Sequence, residues 1–230
     1  MTDDSMQKDI VKLRDRIRIA SQKWGREDSA ITLLAVSKTR PASAIRAAAA
    51  CGLTDFGENY VSEALEKISA LSDLPLRWHF IGPIQSNKTR AIAEHFDWVH
   101  SVDRLKIARR LSEQRPAALA PLQVCLQVNI SEEETKAGAP LADLEELAEQ
   151  VSGLPGLSLR GLMAIPAPSE DFDSQRESFA RLRRALEAIQ ARHPAMDTLS
   201  MGMSADLEAA ICEGSTMVRI GTALFGPRER

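Results

Sequence analysis

The sequence predicts an α/β fold of the (β/α)8 barrel type, and three observations point there. After residue 30, short apolar, β-branched runs alternate with amphipathic stretches, the pattern of a parallel sheet wrapped by helices. Eight such runs fit within the 230 residues, the number that a closed barrel needs. No GxGxxG follows the first run, which counts against the competing open, doubly wound sheet.

The elements follow in order. A helix over about residues 6–24 brings Ile10, Leu13, Ile17, Ala20 and Trp24 onto one face. This N-terminal segment, 1–25, is expected to pack outside the barrel within a single domain of residues 1–230. Strands are predicted at 31–37, 54–58, 77–82, 98–102, 122–130, 157–165, 197–201 and 217–221. Helices between them are predicted at 41–50, 60–71, 87–96, 103–114, 140–152, 173–192 and 204–213, and the short segment Thr222–Gly226 leaves room only for a truncated last helix. Asp103 is placed to cap one helix, and Pro140 and Asp143 suit the first turn of another. Gly52, Gly153 and Gly214 each sit just past a helix end, where a left-handed residue is easiest.

Composition narrows the function classes. Net charge is -3, so nothing favours a polyanionic partner, and Arg181, Arg183 and Arg184 share a helix with Glu177 and Glu187 as a solvated face. No apolar stretch is long enough to span a bilayer, and the acidic start Met1–Ser5 does not read as a signal peptide. Cys51, Cys125 and Cys212 form no CxxC pair and read as reduced thiols of a cytoplasmic protein. The four histidines lack metal-ligand spacing.

Polar and glycine-rich residues gather at the carboxyl ends of the strands, the face where barrel active sites lie. Lys38 ends the first run, where burial would disfavour its charged form, the usual route by which a lysine becomes a nucleophile toward carbonyls. Phe56-Gly57-Glu58-Asn59-Tyr60 ends the second, and His79-Phe80-Ile81-Gly82-Pro83 the third, running on to Gln85, Asn87 and Lys88. Asn129 and Met163 end the fifth and sixth. Ser200-Met201-Gly202-Met203-Ser204 and Gly221-Thr222, after the seventh and eighth, have the hydroxyls and backbone N–H groups of a phosphate site, with Ser200 and Thr222 as its hydroxyls and Ser204 as a helix N-cap. A Schiff-base lysine beside a phosphate site fits pyridoxal phosphate and fits a phosphosugar aldolase equally.

Longer motifs separate these. Trp78-His79-Phe80-Ile81-Gly82-Pro83-Ile84-Gln85-Ser86-Asn87-Lys88 resembles the signature of the YggS/PROSC family of pyridoxal phosphate homeostasis proteins. Ala35-Val36-Ser37-Lys38-Thr39, Phe56–Tyr60, Ser200–Ser204 and Met217–Thr222 agree in order and spacing from residue 31 to 226. The resemblance implies the fold type III barrel of the alanine racemase N-terminal domain, with pyridoxal 5′-phosphate as a Schiff base on Lys38. It implies that Ser200, Gly221 and Thr222 hold the phosphate, that Arg219 faces the pyridine nitrogen and that Asn59 lies near the ring. His79 and Met163 line the pocket or pack inside the barrel.

A cofactor carrier in vitamin B6 homeostasis is therefore expected, as a monomer that hands pyridoxal phosphate transiently to apo-enzymes. An arginine does not readily release a proton, so it leaves the ring a weak electron sink. Racemisation also needs donors on both faces of the substrate carbon. Alanine racemase brings a tyrosine from a second domain, whereas the one tyrosine here is Tyr60. The alternative is a pyridoxal phosphate-dependent racemase or lyase of unknown substrate, drawing a second donor from Tyr60, His79 or Lys88.

Overall fold

Strands whose two faces are both covered can close on themselves, and these do. In a computed structural model that describes residues 3–131 and 137–227, eight parallel strands pair in chain order and the last returns to the first. The strands are β1 (Thr32–Val36), β2 (Asp55–Glu58), β3 (Arg77–Phe80), β4 (Trp98–Val102), β5 (Leu122–Gln127), β6 (Leu157–Met163), β7 (Thr198–Ser200) and β8 (Met217–Ile220). The closing register sets Leu34 beside Arg219 and Ala35 beside Ile220.

The helices are α1 (Asp3–Lys23), α2 (Ala42–Ala50), α3 (Val61–Ala70), α4 (Thr89–His95), α5 (Leu105–Gln114), α6 (Leu144–Ser152), α7 (Phe172–Gln190), α8 (Leu207–Cys212) and the four-residue α9 (Thr222–Phe225). Helix α1 lies outside the barrel against α8 and α9. Of the acidic start, Met1 and Thr2 lie outside the described residues. Ile10, Leu13, Ile17 and Ala20 are buried as their spacing requires, each larger side chain contributing about 1.5–3 kcal/mol. Trp24 is only half-buried, with Arg176 over its ring at 5.4 Å.

The pleat divides the strands into two faces. One faces the helices and forms an apolar layer that includes Phe56, Phe80, Phe96, Ile92 and Leu111, with Phe80 edge-on to Phe96 at 5.4 Å. The other lines the barrel and is strongly polar: Asp55, His79, His100, Ser200 and Arg219 are all buried there.

Three boundary expectations are corrected. Asp103 does not cap α5; its carboxylate accepts from Arg104 at 2.7 Å, and Arg104 takes the cap position. Gly153 ends α6 at φ −81, and the left-handed turn falls at Gly156 instead, with φ +72. Ser204 does not cap α8; Asp206 occupies that position and its Oδ1 accepts from the Met203 N–H at 2.6 Å. Gly52 and Gly214 do take left-handed backbone, at φ +82 and +96.

Candidate functional site

Lys38 is partly exposed two residues beyond β1, at the carboxyl end of the barrel. Its neighbours are held from the helix side of the sheet. The Ser37 N–H donates to the Gly57 carbonyl at 3.0 Å, and the Ser37 hydroxyl donates to Glu58 Oε1 at 2.6 Å. Lys67, buried on α3, donates to the Ser37 carbonyl at 2.8 Å, to Glu58 Oε1 at 2.7 Å and to Glu63 Oε1 at 2.6 Å. Glu63 in turn accepts from the Thr39 N–H at 2.5 Å. Thr39 has φ 64, an unfavourable left-handed conformation for a β-branched residue. The backbone on both sides of Lys38 is thus tied to one buried ion cluster. Burial pushes the Glu58 carboxyl up, outweighing the bonds from Lys67 and Ser37 that pull it down.

Val36 pairs with Gly57, so Lys38 and Asn59 continue the same pleat face on adjacent strands. Asn59 is pressed against the loop after β3: a Cβ on Gly82 would sit 2.3 Å from the Asn59 carbonyl oxygen, so only glycine fits. Asn59 also borders a cavity of about 240 Å³ shared with Tyr60, Gln85 and Lys88. The large cavity of about 410 Å³ at Arg14, Asp28, Asp55 and Arg77 touches the amino ends of the strands and none of these residues.

On the other side of β1, Gly221 lies against Val36, with the position of its Cβ 3.4 Å from the Val36 carbonyl. It leads into Thr222 and α9, whose first N–H groups have no partners within the helix. Arg219 is buried, and donates through Nη1 to the Ser200 carbonyl and to Ser200 Oγ at 2.9 Å, and through Nη2 to the Ala164 carbonyl at 2.9 Å. Burial lowers its guanidinium to about 10. The Ser200 hydroxyl is therefore engaged inside the barrel, at 2.7 Å from His100 Nδ1 as well, and serves Arg219 before any phosphate. His79 is sealed at 0 % exposure between Asp55 and His100, well inside the barrel, and Met163 is packed at the end of β6 beside Ser200.

The structure thus brings Lys38, Asn59, Arg219, Gly221 and Thr222 to one face, and withdraws His79 and Met163 into the packing beneath. The sequence reading missed Lys67, Glu63, Asp55 and His100. A signal existed for Lys67, which falls on the apolar face of α3 with Val61 and Ala64.

Comparison with known proteins agrees with this layout. Residues 9–229 match the family model of the alanine racemase N-terminal domain. The pyridoxal phosphate homeostasis protein of Pseudomonas aeruginosa is 64% identical over 96% of this chain and 94% of its own. The chain belongs to the pyridoxal phosphate homeostasis protein family. PipY of Synechococcus elongatus, solved with PLP bound, is 39% identical with a TM-score of 0.84, covering 96% of this chain and all of PipY. The alanine racemase of Corynebacterium glutamicum superposes with a TM-score of 0.71 at 16% identity, over 98% of this chain and 61% of the racemase, a likeness of fold alone.

The residues of this family member fit pyridoxal phosphate on one direct observation. Asn59 Oδ1 is buried without a hydrogen-bond partner among the described residues, although buried acceptors are nearly always paired. A polar group arriving beside Lys38 would satisfy it.

Proposed function

We propose that this protein binds pyridoxal 5′-phosphate on Lys38 and works as a carrier and regulator of the cofactor rather than as an enzyme. Lys38 holds the cofactor through its amine, with Asn59 beside the ring. Gly221 and Thr222 hold the phosphate through backbone N–H groups and a hydroxyl, and Ser200 holds Arg219. When bound, the cofactor supplies an electrophilic carbon and a conjugated ring that can accept electrons. Arg219 meets the ring nitrogen as a donor and keeps its own proton, which leaves electron withdrawal weak.

The observation that carries this reading is the placement of the three candidate second proton donors. His79 is enclosed between two side-chain partners. Tyr60 is 57% exposed at the chain's surface, and Lys88 shares the cavity that Asn59 borders. A two-sided proton transfer at a substrate carbon needs an enclosed acid opposite Lys38; Tyr60 is open to solvent and both ring nitrogens of His79 are engaged, which leaves Lys88 as the donor that proton exchange tests. Pyridoxal phosphate-dependent apo-enzymes are the proposed recipients, met transiently.

Two assays on the loaded protein separate carrier from enzyme. Amino acids incubated with it in deuterated water should keep their α-protons, while an apo-enzyme mixed with it should regain activity. Rapid α-proton exchange, abolished by Tyr60→Phe or by Lys88→Ala, would establish the racemase or lyase reading instead.

A further inference from the structure

A barrel interior is ordinarily filled by branched apolar side chains. Here a row of polar groups crosses it. Asp55 Oδ1 lies 3.0 Å from His79 Nε2, His79 Nδ1 lies 3.0 Å from His100 Nε2, and His100 Nδ1 lies 2.7 Å from Ser200 Oγ. Ser200 Oγ then accepts from Arg219 Nη1 at 2.9 Å. His100 on β4 and Ser200 on β7 are not on neighbouring strands, so their contact spans the barrel.

The two ends determine the direction of every bond between them. Ionised Asp55 can only accept and Arg219 can only donate. His79 must therefore give its Nε2 proton to Asp55. If it is neutral, its Nδ1 accepts from His100 Nε2. If His100 is neutral, its Nδ1 accepts the Ser200 hydroxyl proton, and the lone pairs of Ser200 remain for Arg219. Every donor and acceptor in the row is then used once. An added proton on either imidazole would put a cation in the barrel and leave the Ser200 hydrogen without its acceptor.

The surroundings favour the neutral arrangement. Burial lowers both imidazoles, and most strongly His100, which also faces His79 and Arg219. Asp55 and Asp97 oppose this at His79, where Arg77 assists it. His79 is stacked on Trp98 at 5.6 Å, which fixes its ring plane. Asp55 is held below the usual carboxylate range by His79, Arg77 and Thr54, against its own burial.

We propose that Asp55, His79, His100 and Ser200 are positioning residues for Arg219: a one-way hydrogen-bond chain that fixes which guanidinium N–H groups remain for the ring nitrogen of the cofactor. The proposal rests on the pyridoxal phosphate reading for its last step only. The chain begins at the amino face, where Arg77 Nη2 and the Thr54 hydroxyl bind Asp55 Oδ2 at 2.7 and 2.8 Å, so it links that face to the cofactor face.

Two measurements test it. In the cofactor-free protein at neutral pH, nitrogen-resolved NMR should find both imidazoles uncharged with the proton on Nε2. An Nδ1–H form or a cation at either site would overturn the chain, whether or not the protein binds pyridoxal phosphate. The second uses two variants. His100→Leu cuts the row, whereas the amide of His100→Gln can accept from Ser200 and donate to His79. His100→Leu should weaken pyridoxal phosphate binding about tenfold, the scale of one hydrogen bond to a charged group, and displace the pH midpoint of the bound absorption band. His100→Gln should restore both to near wild type. Equal behaviour of the two variants, impaired or not, would overturn the positioning role. Failure of the wild-type protein to take up pyridoxal phosphate would instead overturn the proposed function, with the tautomers still deciding the chain.

Discussion

Lys38 owes its setting to residues that never reach the barrel mouth. Lys67 and Glu58 are buried together, and removing one partner of such a pair leaves an uncompensated charge. Lys67→Met should lower the unfolding free energy by about 3–5 kcal/mol in urea titration. Lys67→Met combined with Glu58→Leu should recover most of that loss; no recovery would mean that packing, not charge, explains the effect. Stability should also depend on pH. The folded values of His79 and His100 lie below the unfolded value of about 6.5. The unfolded chain therefore takes up protons first, and stability present above about pH 6.5 is lost as pH falls, by about 1.4 kcal/mol per pH unit for each imidazole. Asp55, with its depressed folded value, adds a further loss below about pH 4. Urea midpoints measured from pH 8 to 5 should fall, with roughly half the slope in His100→Gln; a flat profile would show that the imidazoles titrate in the folded protein as they do in the unfolded chain.

Among the elements, loops after strands position the site, and glycines mark where they touch. Gly82→Ala should cost about 1–3 kcal/mol by overpacking against the Asn59 backbone, and should weaken cofactor binding by moving Asn59. Gly153→Ala, at φ −81 with open space around it, should stabilise by about 0.4–1 kcal/mol. Thermal denaturation of both variants would check the contrast, and equal effects would contradict it. These sites also show what sequence can disclose. Strand positions were legible because apolar runs bounded by turn residues admit few readings, and β4 falls at 98–102 as expected. Caps were less so: Asp103 can cap or pair with Arg104, and the pattern does not say which. Lys38, Asn59 and Arg219 were legible as polar residues at strand ends. The row behind Arg219 was not, because whether β4 faces β7 across the interior depends on closure of the whole barrel. Its trace was nonetheless present: Asp55, His79, His100, Ser200 and Arg219 interrupt apolar strands on the inward face.

At the scale of the whole molecule, one face of the barrel carries the proposed cofactor chemistry and the opposite face anchors the row of polar groups that steadies it. The exposed large apolar residues include Val11 and Ile19 on α1, Leu119, Phe172 at the start of α7, and Tyr60, Ile165 and Met203 on the loops that follow β2, β6 and β7. Light scattering should give the mass of one chain, with or without cofactor; a stable dimer would contradict this and direct attention to the α1 surface around Val11 and Ile19. Borohydride reduction of the protein mixed with the cofactor, followed by peptide mass spectrometry, tests whether Lys38 carries pyridoxal phosphate. A pyridoxyl group fixed on the Lys38 peptide and absent from Lys38→Ala is the predicted result; a label on other lysines only, or no label, would contradict the account.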